Sequence, residues 1–171
     1  CATFKDGQSR KASNAQAMQA FWCDVDCGAE KASSGAGYET QEEATLGLKQ
    51  FCKATGLPRP MIVDSGGGLH IYWPLKEQIT PERWKRISSK LKRAAKALGF
   101  LVDHSRTTDA ASILRPVGTH NRKYDPPRRV ALLCDGDVND PNAFEAALDS
   151  YIDKPKRLKQ SHQSGPVDDT P

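Results

Sequence analysis

The stretch Phe21-Trp22-Cys23-Asp24-Val25-Asp26-Cys27-Gly28 sets a pair of carboxylates into a run that is otherwise apolar. Residues 20–26 read as a strand, and on a strand side chains two apart share a face. Asp24 and Asp26 therefore fall together on one open face. Phe21, Cys23, Val25 and Cys27 take the opposite face, against helices. Unpaired like charges this close repel and raise one pKa. A hard divalent cation removes the repulsion: Mg2+ accepts one or two carboxylates and fills its other positions with water and phosphate oxygens. The D-x-D pair is thus a candidate phosphoryl-transfer metal site. The plain alternative is a pair of solvated acids on an exposed sheet face.

The 171 residues suggest one domain over 1–153 and a disordered, Lys-, Gln-, Ser- and Pro-rich linker over 154–171. A hydrophobic share of 37% suffices for a single core, and a net charge of +4 permits an anionic partner without demanding one. No stretch approaches the roughly 20 apolar residues of a membrane span, so no membrane partner is expected and a cytoplasmic location is. Cys1 opens the chain in place of Met, which suggests a piece of a longer polypeptide. Cys1, Cys23, Cys27, Cys52 and Cys134 lack paired spacing, so no disulfide framework is expected. Cys23 and Cys27 form C-x3-C without a second Cys/His pair, so no zinc is expected either.

Outward from the acid pair, Asn14 to Met18 reads as a short helix and residues 28–39 as a loop. Thr40 and Glu43 make a capping box, and Ala44, Leu48 and Phe51 continue at helical spacing until Gly56. Residues 61–65 and 69–75 around Gly66, Gly67 and Gly68 read as a hairpin, with Leu69, Ile71 and Trp73 on one face and His70 and Tyr72 on the other. Thr80-Pro81-Glu82 starts a helix whose apolar stripe is Trp84, Ile87, Leu91, Ala94 and Leu98. Phe100 to Val102 reads as a strand, 109–114 as helical turns, 116–123 as a loop, Arg129 to Cys134 as a strand and Asp140 to Tyr151 as a helix. Helices mixed with hairpins favour an α+β domain around a largely antiparallel sheet.

Three further groups carry chemistry. His70 follows a glycine run whose bare backbone could admit a phosphate, although a flexible turn explains the glycines equally well. Asp103 ends Phe100-Leu101-Val102, where a buried strand would take another apolar residue; Asp109 is its rival and also a good helix N-cap. Arg115, His120, Asn121, Arg122 and Lys123 crowd a loop with Gly118 and Thr119, which suits phosphate binding or simply a basic loop.

In order, D-V-D (24–26), S-G-G-G-L-H-I-Y-W (65–73), V-D (102–103) and I-L-R-P-V-G-T-H-N-R-K (113–123) resemble the archaeo-eukaryotic primase superfamily. The similarity is to the primase-polymerase domains of phages and plasmids. It implies an RRM-like sheet joined to a smaller α/β unit, with the active site between them. It implies that Asp24, Asp26 and Asp103 hold two divalent metals, Mg2+ or Mn2+. His70, Arg115 and Lys123 would bind the nucleotide phosphates, with Ser65 and Asn121 assisting. The implied activity is primer synthesis or DNA extension from NTP or dNTP on a single-stranded DNA template, with a helicase domain elsewhere in the full polypeptide. Gly68 stands where many relatives have Ser, and Pro116-Val117-Gly118-Thr119 stands for a more usual P-G-T.

Two other functions compete. A replication-initiator nicking endonuclease would need a His pair around one bulky residue, and no H-x-H occurs. A catalytically inactive, RRM-like nucleic-acid-binding module would stack bases on sheet aromatics such as Tyr72, but the acids on that face would repel the strand without a metal.

Overall fold

A computed structural model describes residues 2–153. Its elements are β1 (Ala2–Phe4), β2 (Ala15–Asp26), α1 (Ala29–Ser33), α2 (Gln41–Thr55), β3 (Met61–Asp64), β4 (Gly68–Ile79), α3 (Pro81–Leu98), β5 (His120–Asn121), β6 (Arg128–Arg129), β7 (Ala131–Cys134) and α4 (Pro141–Ile152). A five-stranded sheet runs in the order β1-β2-β4-β3-β7, with every neighbouring pair antiparallel. The class is α+β, as the mixture of hairpins and helical stripes predicts. Beside the sheet, the smaller part takes the form of the 109–119 segment and the two-stranded ribbon β5–β6. The expected linker, 154–171, lies outside the described residues.

The long pair β2–β4 is the spine. Alternation turns Phe21, Cys23 and Val25 of β2, with Leu69, Ile71 and Trp73 of β4, toward the helices, and all six are fully buried. Phe144 of α4 stacks on Phe21 at 4.6 Å between ring centroids, and Trp84 of α3 lies 4.8 Å from Trp22. Each buried indole N–H has an acceptor: Trp22 donates to the Arg106 carbonyl, Trp73 to Pro58 and Trp84 to Ala20. Leaving such a donor unpaired in a core would cost about 1–3 kcal/mol.

The helix boundaries follow the local signals. The Thr40 hydroxyl accepts from Glu43 N–H, Thr80 from Arg83 N–H, and Gly56 and Gly99 close their helices in the left-handed conformation. On α3 the stripe ends on Ala95 rather than Leu98, which is 38% exposed, because the chain turns away at Gly99.

Five local readings are corrected. Asn14 to Met18 is no helix: β2 begins at Ala15 and pairs with β1, with Met18 fully buried opposite Ala2 and Ile79. Pairing and burial outweigh alanine's helical preference there. The 28–39 loop contains the short helix α1. Phe100 to Val102 joins no ladder, since Phe100 N–H caps α3 on the Ala95 carbonyl and Leu101 N–H bonds the Tyr38 hydroxyl. The helical turn expected at 109–114 lies instead at Arg106–Thr108. The strand expected from Arg129 divides at Val130, whose N–H goes to the Thr119 carbonyl, into β6 and β7.

Candidate functional site

Asp24 of β2 lies opposite His70 of β4, and Asp26 opposite Gly68, on the face turned away from the buried core residues. The register is fixed by close approach. A Cβ on Gly68 would run into the Val25 carbonyl, which explains why this position does not carry Ser. Gly66, at φ +74°, lies against Asn121 and Arg128, and a Cβ on Gly67 would come within 2.6 Å of the Tyr124 hydroxyl. The glycine run thus has an internal use. It lets the turn pack against β2 and against the ribbon β5–β6, which buries Gly66 and Gly68, while Gly67 stays half-buried and lines the cleft with His70. Asp64 ties the turn by accepting from Gly66 N–H at 2.7 Å and from the Gln41 amide at 2.8 Å.

Asp24, Asp26, Ser65, His70, Arg115, Asn121 and Lys123 all line one cleft of about 590 Å3. The sequence motifs therefore brought together seven residues from three separate segments. Lys31, Arg106 and Tyr124 line it too and were not singled out. Lys31 follows the acid pair by five positions within a Gly-bounded segment, and Arg106 follows Asp103 by three, which are the signals that were available.

The electrostatics are sharply graded. Burial, then the charges of Asp26 and Asp103, push the Asp24 carboxyl up to about 6, against a smaller opposing pull from Arg106 and Arg115. His70 is 1% exposed, and burial together with the Arg115 guanidinium pushes it down to about 4. Its Nε2 lies 3.8 Å from Asp24 Oδ1, but a neutral imidazole makes this a polar contact at neutral pH and not an ion pair. His70 Nδ1 is buried without a hydrogen-bond partner. Asp26 pairs with Lys31 at 2.8 Å.

The remaining expected groups are already engaged. Asn121 is buried, and its Oδ1 accepts from Lys123 N–H at 3.2 Å, which shapes the loop that presents the exposed Lys123. Asp103 donates its N–H to the Asp24 carbonyl oxygen at 2.8 Å, beside the acid pair. Its Oδ1, however, accepts from Ser105 N–H, Ser105 Oγ–H and Arg106 N–H. Burial acts to raise its pKa, but these bonds from Ser105 and Arg106 outweigh it and hold the carboxyl below its ordinary value. Asp103 thus has a turn-forming role that its sequence position did not reveal, and it does not line the cleft. Asp109 is no helix cap; it follows the Arg106–Thr108 turn and accepts from Ala111 N–H and Ser112 Oγ–H.

Among the described residues, no three His, Cys, Asp or Glu side chains converge as a metal cage. Asp24 and Asp26 by themselves suit a hard cation that keeps most of its water, since two carboxylates on one face, one of them pushed up to about 6, gain from a positive charge. Asp103 fits as a third ligand only through Oδ2, with Oδ1 held in its turn.

No family model and no curated protein matches the chain. Among solved structures, the chain is similar to the archaeo-eukaryotic primase domain of the primase-polymerase of cyanophage S-2L, with a TM-score of 0.62 and 17% identity. The match covers 82% of this chain and 65% of that one, so the chain spans less than two thirds of its neighbour's length. At this identity the likeness is one of fold: the chain has a distant archaeo-eukaryotic-primase-like fold.

Proposed function

We propose that the chain is a catalytic domain for template-directed nucleotidyl transfer, joining NTP or dNTP to a primer end, or to a first nucleotide, on single-stranded DNA. The observation that carries this reading is the mixture of charges inside one cleft: the carboxylate pair Asp24 and Asp26 of β2, with Arg106, Arg115 and Lys123 lining the same cleft. A polyphosphate with its metal is the ligand whose charges match both walls.

Asp24 and Asp26, with Asp103 through Oδ2, which lies 3.9 Å from Arg106 Nε, are the residues that would hold Mg2+ or Mn2+. Such ions, when bound, lower the pKa of a 3′-hydroxyl and neutralise a triphosphate. The side chains supply the rest by placement and charge. Arg115 offers a planar fork to two phosphate oxygens, and Lys123 a point charge on an exposed loop. His70, neutral and buried in the cleft floor, acts as a hydrogen-bond donor to a phosphate oxygen and not as a cation. Ser65, also buried in the cleft wall, adds a hydroxyl.

The test is incubation with primed and unprimed single-stranded DNA, labelled nucleotides and Mg2+ or Mn2+, with products resolved by size. Asp24→Ala and Asp26→Ala should each abolish extension while the protein stays folded. Extension by the double variant at the wild-type rate would refute the reading.

A further inference from the structure

Lys31 has no part in the motifs of the acid pair, the His turn or the basic loop, yet its ammonium stands 2.8 Å from Asp26 Oδ2 inside the cleft. The segment that carries it is built to keep it there. Tyr38 N–H bonds the Asp26 carbonyl and Gly28 N–H bonds the Tyr38 carbonyl, closing residues 28–38 back onto the end of β2. Within that closed loop the Lys31 carbonyl accepts from both Ala36 N–H and Gly37 N–H. Gly37 is the residue that permits the closure, since a Cβ there would strike the Asp26 carbonyl and come within 3.1 Å of Lys31 Cβ. An ordinary surface ion pair needs none of this construction. Here the backbone under the lysine is tied to the backbone of the acid with which it pairs.

Two consequences follow from simple charge balance. With no metal bound, Lys31 supplies positive charge to a carboxylate pair that otherwise repels itself. A divalent cation that takes Asp26 Oδ2, alone or with Oδ1, displaces that ammonium, because the cation and Lys31 then compete for one oxygen. The side chain is 45% exposed while paired, and once released it stays tethered at the cleft wall, within reach of a polyphosphate.

Resting on the nucleotidyl-transfer reading above, we propose that Lys31 is a built-in counterion for Asp26 that a divalent metal displaces and that then binds the phosphates of the incoming nucleotide. Metal and nucleotide then reinforce each other's binding through one side chain.

The experiment compares wild type, Lys31→Met and Lys31→Arg in two titrations: Mn2+ alone, followed by electron paramagnetic resonance, and a nonhydrolysable nucleoside triphosphate in saturating Mn2+, followed by calorimetry. Lys31→Met should bind Mn2+ alone about two- to fivefold tighter, the scale of a half-exposed ion pair. It should bind the nucleotide about tenfold weaker, the scale of one charge-assisted bond to phosphate. Lys31→Arg, which restores the charge, should return both values toward wild type. If wild type binds Mn2+ and nucleotide and Lys31→Met matches it in both, Lys31 is a surface ion pair and the inference is overturned while the functional reading stands. If Mn2+ tightens but nucleotide affinity holds, the phosphate role is overturned. If wild type binds neither ligand, the functional reading itself fails and the inference with it.

Discussion

Asp24→Asn should make the metal-free protein more stable at neutral pH, and the gain should vanish in acid. Burial and the neighbouring Asp26 and Asp103 raise the Asp24 carboxyl from an ordinary 3.8 to about 6 in the folded chain. Its side chain is 23% exposed, so solvent screens little of this. A folded-state pKa raised for an acid means that the folded chain binds the proton more tightly than the unfolded one. The ionised group therefore opposes folding at pH above about 6, and stability rises as pH falls from about 6 toward 3.8, where both states are protonated. A rise of about two pH units corresponds to about 3 kcal/mol. Asparagine is nearly isosteric and carries no charge, so its stability should stay flat across this range. For a chain of this size that amounts to a melting temperature about 6–12 °C higher than wild type at pH 8. The assay is thermal and urea unfolding of both proteins with a chelator present, from pH 4 to 8. Adding Mn2+ at pH 8 should raise the wild-type midpoint and leave Asp24→Asn unmoved. Equal stability of the two proteins at pH 8, or a difference that persists undiminished at pH 4, would refute the electrostatic account of the site.

The other predictions concern the turn, the third acid and the histidine. Gly68→Ala should cost several kcal/mol, roughly 3 or more, because its methyl meets the Val25 carbonyl at the end of the β2–β4 ladder; urea midpoints measure it, and a loss under about 1 kcal/mol would mean that the strand ends can separate freely. Asp103→Asn keeps an oxygen for the Ser105 and Arg106 donors and should shift stability by less than about 1 kcal/mol, yet it should abolish extension, whereas Asp109→Asn should leave both unchanged. Full extension by Asp103→Asn would leave that residue a turn former only. The His70 imidazole should titrate near pH 4 by NMR, and Arg115→Ala should move its pKa upward by removing a cation, although burial remains the larger cause. An unchanged His70 titration in that variant would place Arg115 too far from the histidine to share a ligand with it.

How far the sequence reached follows from how local each signal is. The period of two along Phe21 to Asp26 was enough to put both acids on the face opposite the core, because strand alternation depends on the backbone alone. The caps at Thr40 and Thr80 and the stops at Gly56 and Gly99 were legible for the same reason: each satisfies backbone groups within a few residues. The gathering of Ser65, His70, Arg115, Asn121 and Lys123 around the acids was reached through motif order, and the cleft contains them all. What the tertiary structure decided is everything that depends on distant neighbours. The Ala-rich start became strand because β1 and Ile79 offered pairing and burial to Met18. The glycines at 66–68 serve close packing against Val25, Asn121 and Tyr124, residues 43 to 57 positions away, which no local pattern encodes. His70 is neutral because the fold buries it beside Arg115, Asp103 spends one oxygen on its own turn, and Lys31 reaches Asp26 only because residues 28–38 close back onto β2. A side chain's type is written in the sequence. Its charge state and its partner depend on solvent exclusion and on atoms within a few Å, and only the folded chain determines those.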